Sequence, residues 1–154
     1  MSDSELHLML PKRQRPIWEG GDLLAVEAAA MVEIPLLGWV AAGMPVEALQ
    51  QRETVAVPAG MVRKDCYALR VRGDSMIEDN IQDGDVIVIE RRRSAENGQS
   101  VVALINGENV TLKRFYIEKG GVRLQPANSS MAPIFLRNDE IEILGIVMGV
   151  IRTP

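Results

Sequence analysis

Apolar residues in this chain fall into short runs rather than at helical spacing. The runs are Tyr67–Arg72, Val86–Glu90, Val101–Ile105, Val110–Ile117, Val122–Gln125 and Ile141–Ile151, the last with Gly145 and Gly149 inside it. Short runs rich in Val and Ile and bounded by turn residues predict strands. Between them stand Asp83-Gly84, Asn97-Gly98, Asn106-Gly107 and Gly120-Gly121. Such dipeptides tolerate positive φ and predict tight hairpins, most clearly Val101–Ile117 around Asn106-Gly107. Val86-Ile87-Val88-Ile89 does not alternate, which predicts a strand covered on both faces or a much-twisted sheet. The fold class read from this pattern is mainly β, in strongly twisted antiparallel sheets and hairpins.

Residues 1–33 have a different texture. Pro11, Pro16, Gly20 and Gly21 surround the cations Lys12, Arg13 and Arg15, which reads as an N-terminal arm. Asp22 suits the cap of a short helix through Leu23 and the Ala28–Ala30 run. A helix-turn-helix needs about three packed helices, and the Pro/Gly spacing here leaves room for one. The expected organisation is an arm over 1–33 and one β domain over 34–154, in keeping with a chain of 154 residues.

Charge and composition narrow the chemistry. The balance of 17 Lys+Arg against 21 Asp+Glu gives −4, so nothing global attracts a phosphate backbone. The single His7 and single Cys66 cannot assemble a zinc cluster, and no metal or cofactor is expected. The same counts speak against Ser-His-Asp and Cys-His catalysis, so a hydrolase of this sequence needs a base other than histidine. One unpaired cysteine fits a reducing compartment. The acidic N-terminus is not a signal peptide. The longest uncharged stretch, Ile34 to Val46, has 13 residues broken by Pro35, Gly38, Gly43 and Pro45, whereas a membrane helix needs about 20. A soluble, cytoplasmic protein is expected.

Two residues carry candidate chemistry. Gly73-Asp74-Ser75-Met76 directly follows a predicted strand. A serine where a strand breaks into a turn can present its hydroxyl outward while its own N–H and the next face a developing oxyanion. Lys113 interrupts Val110-Thr111-Leu112 and Phe115-Tyr116-Ile117 in mid-strand. Period-2 alternation puts it on one face with Thr111, Phe115 and Ile117, with Leu112 and Arg114 on the other. Desolvation disfavours an ammonium, so a lysine aimed at an apolar surface can act as a neutral base.

The text around these residues resembles the LexA/UmuD family of self-cleaving serine peptidases from about Glu33 to Arg152, roughly three quarters of the chain. Leu69-Arg70-Val71-Arg72-Gly73-Asp74-Ser75-Met76 is similar to the family's nucleophile motif, and Asp83-Gly84-Asp85 to the turn that follows it. Val110-Thr111-Leu112-Lys113-Arg114 is similar to the segment holding its general base. Leu124-Gln125-Pro126-Ala127-Asn128 and Ile146–Arg152 resemble its closing strands. Ile34 to Pro45 resembles the LexA cleavage segment, which makes Ala42-Gly43 the scissile bond and 34–46 a cleavage loop; Trp39 departs from the polar or basic residue usual there.

The resemblance implies a LexA/UmuD-type fold in which Ser75 and Lys113 form a catalytic dyad and the Ser75 and Met76 N–H groups form the oxyanion site. It implies that activated RecA filaments on single-stranded DNA stimulate self-cleavage within the SOS response to DNA damage. It implies a homodimer through the C-terminal strand near Ile146–Ile151, whose apolar run suits edge-to-edge pairing. DNA contact would come only through a helix-turn-helix domain missing from this chain. Two alternatives stand beside this regulator: a UmuD-like accessory subunit of an error-prone polymerase, and a non-cleaving dimerisation or regulatory module.

Overall fold

The computed structural model describes residues 17–19, 30–41, 44–45, 49 and 53–153. The helix expected after Asp22 lies outside them. So do the basic cluster at 12–15 and the candidate scissile pair Ala42 and Gly43. Among the described residues no helix is long and apolar enough to cross a membrane.

Among the described residues eleven strands make one twisted sheet: β1 (Ile17–Glu19), β2 (Met31–Val40), β3 (Met44–Pro45), β4 (Glu53–Pro58), β5 (Cys66–Val71), β6 (Val86–Glu90), β7 (Ser100–Ile105), β8 (Asn109–Glu118), β9 (Gly121–Gln125), β10 (Ile134–Arg137) and β11 (Ile141–Arg152). Their order is β10-β9-β8-β7-β11-β6-β5-β2-β4, with β1 beside β11 and β3 beside β8. The mainly β reading holds, and most pairs are antiparallel. The sheet is nevertheless mixed, because β1 runs parallel to β11 and β2 parallel to β5.

The hairpin expected around Asn106-Gly107 forms between β7 and β8. Asn106 and Gly107 take φ of 52° and 68°, the paired positive values that a type I′ turn needs, and Glu108 N–H donates to Ile105 O at 3.0 Å. The unalternating Val86–Ile89 run is fully buried, as a strand covered on both faces must be.

Ile146–Ile151 is hydrogen-bonded along one side to β6; on the other side Ile141–Ile146 pairs with β7 and Val150–Arg152 with β1. Two expectations are corrected. The segment read as a loop over 34–46 is strand through Val40, where Ile34, Leu36 and Val40 are buried on alternate positions. Pro35 and Gly38 do not break it. Gly38 sits at φ 131° within the register shift between Leu36 and Trp39, so the glycine makes a bulge, not an end. Ile17–Glu19 and Met31–Glu33, read as part of the arm, also belong to the sheet.

Candidate functional site

Ser75 lies in the connection between β5 and β6. The chain leaves β5 at Val71 and turns at Gly73, whose φ of 84° a residue with a Cβ would resist. The Gly73 N–H donates to Asp83 Oδ1 at 2.7 Å, and Ile77 N–H to Asp74 O at 3.1 Å, so the residues around the serine are folded back on themselves. A 3₁₀ turn follows at Ile77–Asp79. Met76 is buried in the main apolar cluster with Tyr67, Leu69 and Ile87, and anchors the turn from below. Ser75 itself is 7 % exposed.

Residues distant in sequence hold this turn. Asn128 Nδ2 donates to Asp74 O at 2.9 Å, Glu78 N–H to Ala127 O at 2.7 Å, and Ser129 N–H to Glu78 Oε2 at 2.6 Å. Arg152, at the end of β11, holds Asp85 by two bonds of 2.9 Å, from Nε to Oδ1 and from Nη2 to Oδ2. The side chain of Asp79, in the 3₁₀ turn, is buried and receives both Nε and Nη2 of Arg114, with Nε to Oδ2 at 2.6 Å.

Lys113 occupies the middle of β8 and is 2 % exposed. Its Nζ donates to Thr111 Oγ1 at 2.6 Å and to Leu112 O at 3.1 Å. The bond to Thr111 bears out the shared face that period-2 alternation predicts, although Ile117, farther along, is exposed. Burial pulls the lysine from 10.5 down to about 8, through desolvation of the ammonium. The consequence is chemical. A neutral amine has two N–H bonds and one lone pair, so engaging both N–H groups with Thr111 and Leu112 leaves the lone pair to take a proton. Neither of these two bonds joins the lysine to Ser75.

The end of β2 connects the two halves. Arg72 N–H, three residues before Ser75, donates to Val40 O at 2.9 Å. Thr111 Oγ1, the partner of the lysine, donates to Ala41 O at 3.5 Å. Past the candidate scissile pair, Met44 and Pro45 pair with Val110 and Asn109 of β8. The chain on both sides of Ala42-Gly43 is thus held against the strand that carries Lys113. Trp39, the departure noted in the sequence, lies under the Arg72 guanidinium at 4.2 Å, a cation–π contact between the ends of β2 and β5.

Sequence reasoning placed Thr111 on the lysine's face and Arg114 on the opposite one without giving either a role, and it assigned none to Asp79 or Asn128. The Asp79–Arg114 bonds span 35 residues and the Asn128–Asp74 bond spans 54, so no local spacing announces them.

The sequence model of the Peptidase S24-like family matches residues 35–148. The LexA repressor of Syntrophobacter fumaroxidans is 48% identical over 132 residues, covering 85% of this chain and 63% of that protein. The LexA repressor of Clostridioides difficile is 47% identical over 124 residues, 79% of this chain and 59% of its own length. That of Bacillus anthracis is 42% identical over 136 residues, 86% of this chain and 65% of its own. The chain therefore spans about three fifths of the length of the relatives it matches.

Proposed function

The chain belongs to the Peptidase S24-like family, and from that premise we propose that it cleaves its own Ala42-Gly43 bond with Ser75 as nucleophile and Lys113 as general base. The observation that carries this reading is the buried Lys113 amine, held by Thr111 and Leu112 with its proton affinity lowered. Ser75 Oγ attacks the Ala42 carbonyl carbon while its proton passes to Lys113 Nζ. The Ser75 and Met76 N–H groups stabilise the oxyanion. As the intermediate collapses, the C–N bond breaks, and Lys113 returns the proton to the Gly43 nitrogen. Water, deprotonated by the same amine, then attacks the Ser75 ester and releases the Ala42 carboxylate.

The wider reading rests on the relatives' names. The chain acts as a LexA-like regulator of the SOS response, with self-cleavage stimulated by activated RecA filaments and DNA contacted through a helix-turn-helix domain. Homodimerisation belongs to the same reading, with the C-terminal strand near Ile146–Ile151 as the expected contact.

The test is incubation of the purified chain at about pH 10, where a lysine titrating near 8 is neutral, with intact mass followed over time. Two fragments that sum to the chain plus water, split between Ala42 and Gly43 and absent in Ser75→Ala and Lys113→Ala, are expected. An intact chain at high pH, and again with activated RecA, overturns the reading.

A further inference from the structure

Asp79 and Arg114 take no chemical part in the proposed reaction, yet each stands beside one of its residues. Arg114 follows Lys113 on β8 and projects from the opposite face of the strand. Asp79 closes the 3₁₀ turn that begins two residues after Ser75. Its N–H donates to Met76 O at 3.0 Å, so its position is tied to the backbone of the serine turn. Its carboxylate is 1% exposed and meets the guanidinium through both oxygens. Two other ties of the turn, from Asn128 and to Ala127, lead to the segment after β9, which the β8–β9 ladder joins to the lysine strand.

A charged pair in this place is a costly way to gain stability, because desolvation offsets much of the attraction. What a planar two-pronged contact supplies is fixed geometry. Proton transfer from Ser75 to Lys113 needs a separation of about 2.6–3.2 Å, and a misplacement of about 1 Å costs on the order of 100-fold in rate. Resting on the dyad reading above, we propose that the Asp79–Arg114 pair is a positioning clamp, which locks the serine turn to the lysine strand and sets the reach between the two catalytic groups.

The test uses the full chain and diisopropyl fluorophosphate, which forms a Ser Oγ–P bond and expels fluoride while the serine proton goes to the base. It reads activation of Ser75 without requiring the cleavage segment. Labelling is followed from pH 6 to 10 in the wild type, Lys113→Ala, Asp79→Asn and Arg114→Lys, each checked by circular dichroism to be folded. The expected result is Lys113-dependent labelling of the wild type, with a high-pH plateau lowered about 10- to 100-fold in both clamp variants and a parallel fall in self-cleavage. A role in stability alone would leave the plateau of the folded protein unmoved. Arg114→Lys keeps the charge and loses the fork, so it decides the matter if Asp79→Asn does not fold. Wild-type plateaus in the folded variants overturn the clamp and leave the dyad standing. A wild type that is not labelled, or is labelled independently of Lys113, overturns both.

Discussion

A lysine held at 2 % exposure, its amine bonded to one hydroxyl and one carbonyl, costs the protein stability whenever it is charged. In the native state it gives up its proton near pH 8, whereas in the unfolded chain it holds it to about 10.5. Between those values the unfolded state binds more protons, so stability rises with pH across that window and the deficit is complete below it. A separation of this size corresponds to about 3 kcal/mol. Lys113→Met in a Ser75→Ala background, which prevents self-cleavage, is therefore expected to stabilise the protein at pH 7 and to show little advantage above pH 10.5, as read by urea unfolding. An equal advantage at both ends would mean that the lysine does not titrate in this window. Thr111 belongs to the same balance. Thr111→Val removes the acceptor that orients the amine and the donor to Ala41 O, and self-cleavage at high pH is expected to fall by about tenfold or more, as intact mass would show.

Strands tolerate interruptions that look fatal in a sequence, and β11 shows why. Its register shifts at Gly145 against β7 and at Gly149 against β6, and each shift lets a long strand follow two partners in turn. A Cβ at Gly145 would lie 2.6 Å from Glu90 O, and one at Gly149 would lie 2.8 Å from the Met61 sulfur. Backbone cannot yield as a methionine can. Gly145→Ala is expected to cost about 1–3 kcal/mol and Gly149→Ala less, measured as the shift in denaturation midpoint. The same tolerance explains which elements were legible. β5 to β9 announce themselves by apolar runs and Gly-bearing turns, since those contacts are local. β2 was hidden because Pro35 and Gly38 read as punctuation, although Ile34, Leu36 and Val40 keep strict alternation beneath them. β10 was hidden because none of its four residues is buried, so its pattern carries no core signal. Of the candidate site, Ser75 and Lys113 stand out from their strand context and the family's motifs. The groups that hold them were not, because Asp79–Arg114 and Asn128–Asp74 exist only once distant strands have paired.

At the scale of the whole molecule, one sheet carries the proposed nucleophile, base and substrate segment together. β5 delivers the serine turn, β8 carries the lysine, and the end of β2 touches both through Val40 O and Ala41 O. Met44 and Pro45 return to β8 on the far side of the scissile pair. A substrate fixed on both flanks to the strand that bears its own base has most of the entropy of encounter removed in advance. Cleavage should then occur within one chain. The first-order rate constant at high pH is expected to stay constant from about 1 to 100 µM protein, because proximity is set by covalent connection and not by collision. The stricter check mixes wild type with Ser75→Ala, the variant marked by its own mass. In a cis reaction the variant stays intact while the wild type disappears. Cleavage of the variant at a rate that grows with wild-type concentration would mean that the segment around Ala42-Gly43 leaves β8 and enters the site of another copy, and the contacts of Ala41, Met44 and Pro45 would then restrain the substrate before cleavage rather than present it.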